Sequence, residues 1–353
     1  MSPHCNESHE TWATPSIGSE LDRSEGSSPD EEVPVSHIRG SHHITLSVGG
    51  AQEDVDFHVG VLGMRFIKRT VLFDGSLPIY HLYYSNAAGD PSAVVTTFPW
   101  RQAGLVGRRG TNQARELLLS VPADSLDFWA RRLTDRGVEV ANAEVFDRRR
   151  LLFRHPSGIE YAMVGNDADP REGHPGQGVP PECAIHGIHG VGVHVATPER
   201  MVEFSEEVFH SQGKVIEDGD RAGFQVGQDA LGNHVELVAD SADDQGTWRY
   251  GEGTFHHVAW NLETLENQDA LKFEIEGNGY TDISELKDRK YFKSVYVRTP
   301  AGALFELAVT HQEGGWTCDE SPHELGQRFQ LPEQFEHRRE EILSRLEPIE
   351  APS

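Results

Sequence analysis

Two histidine doublets, His42-His43 and His256-His257, each open a short apolar stretch (HHITLSV and HHVAWNL), and Glu306 stands in the later phrase TPAGALFELA. Two imidazoles and one carboxylate brought to a point hold a metal on one face and leave about three octahedral positions open, the facial set associated with non-haem Fe(II) and dioxygen. Neighbouring residues on a strand point to opposite faces, so one member of each doublet is expected to face such a site. Thr45 and Ala259 are in phase with His43 and His257, which makes those two the candidate ligands together with Glu306. His42 and His256 fall out of phase, and for them orientation of a neighbour or ordinary packing competes with a direct role. Three cysteines, with no CxxC pair, indicate neither a thiolate zinc site nor a disulfide framework.

Ligands so far apart in the chain need a repeated scaffold to meet. From His42 the chain reads as one unit written four times. Each copy opens on a short strand, at 42–48, 116–121, 189–195 and 256–262, and continues into an amphipathic helical stretch, at 53–64, 123–137, 198–210 and 265–279. Short strands separated by Gly, Asp or Pro turns follow. Three copies close on related phrases, HPSGIEYAMV, ALGNHVELVA and TPAGALFELA. The openings at His43, Glu116, Gly190 and His257 recur at 73, 74 and 67 residues, and Glu160, Glu236 and Glu306 at 76 and 70. A βαβββ unit exposes one sheet face and must pair, so four units make two cups. The expected class is α+β, with four βαβββ modules forming two paired cup-like curved sheets.

Along the chain, residues 1–38 read as a disordered acidic tail, 39–170 as an N-terminal domain of copies one and two, and 171–312 as a C-terminal domain of copies three and four. Residues 313–353 read as an extension whose amphipathic helix begins near Pro332 and stops before Pro348. Only copies one and four offer imidazole at the first-strand position. If they share a cup, His43, His257 and Glu306 converge. Copies two and three offer Glu116, Glu160 and Glu236 with Gly190 in place of a ligand, so their cup is expected to hold no transition metal, Glu160 and Glu236 being relics or solvent contacts.

The repeated unit, the HHIT and HHVAW openings and the stretch DRKYFKSVYVRTPAGALFELA (288–308) resemble the vicinal oxygen chelate superfamily, and within it the ring-cleaving dioxygenases that act on hydroquinones and chlorohydroquinones. The resemblance spans about residues 40–349. It implies that His43, His257 and Glu306 bind Fe(II), with Mn(II) an alternative, that Arg289 and Tyr296 line the substrate side, and that His42, Thr45 and His256 sit in or beside the same pocket. The partners it implies are a small aromatic diol and O2, with a homo-oligomer left open. Two other readings compete. A glyoxalase-type isomerase or thiol transferase would need a second carboxylate, which VVTTFPW (94–100) lacks at the last strand of copy one, and a non-catalytic aromatic-binding protein would need fewer polar groups.

Composition excludes other classes. Fifty-seven acids against 31 Lys plus Arg leave a formal −26, which opposes nucleic acid and anionic membrane as partners. No apolar run approaches the ~20 residues of a membrane span, and the first thirty residues lack a basic start and an apolar core, which indicates a cytoplasmic chain. The tail holds eight acids and one Arg, so −19 remains on the body, where Lys is scarce beside Arg. Such an excess suggests a solvated anionic surface of the salt-adapted kind. Raising KCl into the molar range should therefore raise the thermal midpoint and leave activity intact; maximal stability and activity at low salt would refute the salt adaptation.

Overall fold

The computed structural model describes residues 36–72, 78–228, 231–311 and 314–350. The segment read as an acidic tail lies outside them except for its last three residues, where Ser36 is already buried and a strand begins at Ile38. Module one comprises β1 (Ile38–Val48), α1 (Ala51–Val55), β2 (Arg65–Val71), β3 (Tyr80–Ser85) and β4 (Val94–Pro99). Its helix runs on as a π-helical stretch, Asp56–Val61. Module two comprises β5 (Gln113–Val121), α2 (Leu126–Asp135), β6 (Ala141–Val145), β7 (Arg148–Arg154) and β8 (Glu160–Gly165). β9 (Gly187–Val195), α3 (Glu199–Glu207), β10 (Gln212–Asp218), β11 (Arg221–Gln225) and β12 (His234–Ala239) form module three. Module four is β13 (Thr254–Leu262), α4 (Leu265–Gly277), β14 (Lys287–Asp288), β15 (Phe292–Arg298) and β16 (Leu304–Thr310). Among the described residues no helix is long and apolar enough to cross a membrane.

The modules pair out of sequence. One eight-stranded sheet runs β14-β15-β16-β13-β1-β4-β3-β2 and joins modules one and four; the other runs β10-β11-β12-β9-β5-β8-β7-β6 and joins two and three. The division drawn at 170/171 therefore follows no sheet boundary, since each sheet takes strands from both sides of it, and Val35–Ser353 is one compact unit. In the first sheet β1 and β13 are antiparallel at the centre, so their openings meet.

Strands of this sheet alternate polar and apolar residues, yet both faces are buried. Ile44, Leu46, Val258, Trp260, Phe305 and Leu307 enter the main core with the helices, while His43, Thr45, Thr96, His257 and Glu306, also buried, occupy the alternate positions. Alternation ordinarily marks a solvated face; here the polar face lines an enclosed cup.

Modules one and two also meet through a wholly buried carboxylate. Asp54 Oδ2 accepts the hydroxyls of Tyr84 (2.7 Å) and Thr97 (2.5 Å). Its Oδ1 lies 3.1 Å from His58 Nδ1 and 3.2 Å from His155 Nε2, in the turn between β7 and β8. The extension adds a second tie: the Glu347 carboxylate accepts the N–H groups of Ala51 and Gln52 (2.7 and 3.1 Å), capping α1, which begins without a side-chain cap. The helix of the extension is shorter than its pattern predicts. A 3-10 stretch, Glu333–Arg338, follows Pro332, and α5 covers only Arg339–Arg345.

Removing the Asp54 charge leaves its four partners mismatched, so Asp54→Asn should lower the unfolding free energy at pH 7 by about 3 kcal/mol in urea denaturation. Acid should act in the same direction. Burial lowers the proton affinity of His155, so the unfolded chain takes up the proton first and stability falls as pH drops below 6.5. Hydrogen bonds and charge from His58 and His155 hold the Asp54 carboxyl well below its usual range against the opposing effect of burial, so its contribution is lost only at still lower pH.

Candidate metal centre

β-bulges decide how the doublets meet. Ser41 pairs with Trp260 and His43 with Ala259, which leaves His42 as the extra residue on β1; Thr45 pairs with His257 and Leu46 with Phe255, which leaves His256 as the extra residue on β13. A bulge breaks strict alternation. Each out-of-phase histidine consequently reaches the same side as its neighbour, contrary to the expectation that one of each pair turns away. His42 Nδ1 lies 2.8 Å from His43 Nδ1, and His256 Nδ1 lies 2.7 Å from His257 Nδ1.

A metal held by Nε2 of both His43 and His257 requires one set of tautomers. Nδ1–H of His43 and of His257 donates to the neighbouring Nδ1, and Nε2–H of His42 donates to Thr310 Oγ1 at 2.9 Å. Lone pairs on His43 Nε2 and His257 Nε2 then face each other at 2.9 Å, and Glu306 Oε2 lies 3.3 and 2.7 Å from them. Ligands at right angles around an ion with bonds of about 2.1 Å stand ~3 Å apart, so the separations are those a facial metal site requires. Both Glu306 oxygens are buried and lack a hydrogen bond of acceptable geometry among the described residues. Burial works to raise the Glu306 carboxyl, but His257 and His43 outweigh it and hold it well below its usual range. Burial pushes His42 down to about 4, and burial with His257 pushes His256 down to about 3, so both are neutral near pH 7. The residues present fit a divalent cation.

Above the triad lies a cavity of about 270 Å³. Of the candidate catalytic residues, His256, Arg289 and Tyr296 line it; Thr45 touches His257 Nε2 at 2.9 Å beneath, and His42 stands behind His43 against Trp316 and Phe292. Arg289 Nε–H donates to Tyr296 Oη at 3.2 Å. Leu72, His81, Tyr83, Phe98, Trp100, Tyr250 and Phe292 complete the wall, and sequence reasoning missed them. His81 and Tyr83 carried a usable signal: they alternate on β3 in the apolar run HLYY.

Register also revises the internal comparison. Ala259 pairs with Glu306 and Gly192 with Glu236, each two residues past the ligand position, whereas the equivalent residue of module two is Ala162, opposite Leu118. Glu160 lies two residues early, opposite Glu116. In module one the equivalent is Thr96, opposite Thr45.

The second cup is built differently. Arg221 bridges Glu116 and Glu236, both at 2.9 Å, and Arg150 holds Glu236 through two bonds of 3.0 Å. A Cβ on Gly190 would meet the His234 carbonyl oxygen at 2.1 Å, so no imidazole fits there. Glu236 and Glu160 are thus ion-paired, Glu160 to Arg109, Arg115 and Arg154, rather than relics or solvent contacts.

Asp54, His58 and His155 also form a compact set. There, however, the Ser157 N–H donates to His155 Nδ1 at 3.0 Å, which places the imidazole proton on Nε2, facing the carboxylate. The Asp54 carboxylate is also already bonded at Oδ2 by the Tyr84 and Thr97 hydroxyls, whereas neither Glu306 oxygen has such a bond among the described residues.

Paired βαβββ modules around two histidines and a glutamate define a vicinal-oxygen-chelate protein. The architecture is similar to glyoxalase I from Zea mays (TM-score 0.55, 13% identity, 76% of this chain and 92% of that one), a likeness of fold alone. No family model matches the chain. It is 39% identical over 318 residues to a chlorohydroquinone/hydroquinone 1,2-dioxygenase of Sphingobium indicum, covering 88% of this chain and 97% of the relative. MhqO of Bacillus subtilis, provisionally named a ring-cleaving dioxygenase, is 32% identical over 311 residues, with 88% and 96% covered. The crystal structure of a provisionally assigned Bacillus subtilis dioxygenase superposes with a TM-score of 0.82 at 31% identity over 90% of this chain and 99% of that one. The chain belongs to the ring-cleaving dioxygenases of the vicinal oxygen chelate superfamily.

A single divalent ion per chain should remain bound to the wild type in equilibrium dialysis. His257→Ala and Glu306→Ala should each weaken binding at least 100-fold while circular dichroism stays native; undiminished binding would disprove the ligand set.

Proposed function

We propose that the protein opens the ring of a hydroquinone-like diol with O2, using Fe(II) held by His43, His257 and Glu306. The observation that carries the reading is the convergence of three ligand atoms, from two imidazoles and a carboxylate, in the wall of an aromatic-lined cavity that Arg289 also lines. Bound there, the metal would supply Lewis acidity toward a phenolic oxygen and a place for dioxygen beside it.

The chain's own groups do the rest. Phe98, Trp100 and Phe292 exclude water and enclose an aromatic ring. At about 270 Å³ the cavity is smaller than the ~300–1,000 Å³ of drug-sized sites, so it suits a single substituted ring. Arg289 keeps its charge because Tyr296 and Glu306 more than offset its burial. Its remaining N–H groups would hold the second hydroxyl or another anionic substituent. Burial and Glu306 raise Tyr296 well above the usual phenol range, so it is a proton donor, not a phenolate. His256, with Nδ1 accepting from His257, is neutral and would offer its Nε2–H to the bound ring as a hydrogen-bond donor.

The glyoxalase-type alternative needs a second carboxylate, and the structure places Thr96 at that position.

After anaerobic loading with Fe(II), oxygen uptake should match the loss of hydroquinone or a chlorinated hydroquinone one to one, and a biaryl diol should be a poor substrate. Arg289→Leu should lower kcat/KM about 100-fold. No uptake with any single-ring diphenol, or equal turnover with Zn(II), would overturn the proposal.

A further inference from the structure

A line of polar side chains crosses the cup floor from module one to the triad. Tyr83 Oη lies 3.2 Å from His81 Nδ1, His81 Nε2 3.0 Å from Thr96 Oγ1, Thr96 Oγ1 2.7 Å from Thr45 Oγ1, and Thr45 Oγ1 2.9 Å from His257 Nε2. Strand pairing builds it: Thr45 and Thr96 are partners across β1 and β4, and Tyr83 faces Thr96 across β3 and β4. His81, Tyr83, Thr96 and Thr45 are buried.

The line has a consistent polarity. With His257 Nδ1–H directed at His256, Nε2 offers only a lone pair: Thr45 donates to it while no ion is bound, and an ion on Nε2 would take that lone pair and leave the Thr45 hydrogen for the open positions beside it. Thr45 Oγ1 then accepts from Thr96, Thr96 Oγ1 accepts from His81 Nε2–H, and His81 Nδ1 accepts the Tyr83 hydroxyl. Every hydrogen runs toward the metal corner. Thr96 occupies the position that Glu306 occupies in module four. A carboxylate there would add a fourth protein ligand; a hydroxyl already engaged by His81 and Thr45 adds none and leaves that side of the site free.

We propose that His81 and Thr96 are positioning residues that hold the Thr45 hydroxyl, hydrogen first, against the open side of the metal site. A hydroxyl held by nothing would rotate among staggered positions and accept as readily as donate. The chain of bonds removes that freedom, as buried networks act as units. His81 lines the cavity as well, but its effect runs through Thr96 and Thr45. The inference rests on the proposed reaction only in its kinetic reading.

The test uses the full-length Fe(II)-loaded enzyme with hydroquinone and the variants His81→Phe, His81→Gln, Thr96→Val and the double His81→Phe/Thr96→Val. If the pair acts as one device, each single change lowers kcat about 10-fold with KM within twofold and Fe(II) stoichiometry unchanged, the double variant is no worse than the poorer single, and Gln at 81, which retains a donor and an acceptor, recovers at least a third of the loss. Additive losses in the double variant, or single variants equal to wild type, overturn the proposal. A readout independent of turnover is the ¹⁵N resonance pair of His81 in the Zn(II)-loaded protein. It should report a neutral ring protonated at Nε2 and should shift in Thr45→Val, two hydrogen bonds away. Failure of the wild type to consume oxygen beside an intact ¹⁵N response would refute the dioxygenase reading and leave the relay standing; a silent response in Thr45→Val would refute the relay whatever the activity.

Discussion

Three buried ligand atoms, His43 Nε2, His257 Nε2 and Glu306 Oε2, stand 2.7–3.3 Å apart. In a low-dielectric interior such crowding is unfavourable unless a cation lies between the atoms. The second cup meets a related demand from inside the chain, where the Arg221 guanidinium stands between Glu116 and Glu236. An internal guanidinium closes its site and satisfies it. A bound ion satisfies the first cup equally well but keeps coordination positions for ligands that are not protein. One fold thus carries a cup fitted to a cation and a cup closed by its own arginine, and the difference lies in where the positive charge comes from.

Holding that centre requires an enclosed polar face. The bulges at His42 and His256 place a second imidazole behind each ligand, Nδ1 against Nδ1, where it can accept the ligand's Nδ1–H and turn Nε2 to a metal. Enclosure is completed from outside the modules: Trp316, in the C-terminal extension, donates to the Gly89 carbonyl at 2.7 Å and packs its ring against His42. On the opposite face of the same strands, aliphatic and aromatic residues join the helices in the main core. The sheet is therefore a partition between a polar cavity and an apolar interior, and stability and chemistry are assigned to different sides of it.

Much of this was legible along the chain. Four strand openings at near-equal spacing predict four modules, and contrasting the copies isolates His43, His257 and Glu306 against Gly190. Other features were not legible for definite reasons. Glu160 matches Glu306 in phrase but not in pairing, because the turn before it is followed by two residues fewer. His81 lies in an ordinary strand run, and only the neighbours across β4 give it partners. Asp54 and His58 are four apart on one helix, a readable pair, yet His155 joins them from another module. Glu236 carries the expected phrase, but its arginines, Arg150 and Arg221, come from strands whose own sequences announce nothing.

The sequence by itself determined the local periodicities, the number of modules and which residue types each could offer, since these depend on neighbours three, four or two residues away. It also bounded the chemistry: with imidazole at only two of four first-strand positions, one metal centre was the consistent outcome of pairing one with four. Tertiary structure alone decided that pairing, the two bulges, the hydroxyl at Thr96 where a carboxylate could have stood, and the relay to His81. All of these depend on the register of strands far apart in sequence. A shift of one residue turns a side chain to the other face and a shift of two carries it one pleat along, and neither leaves a mark in the local pattern.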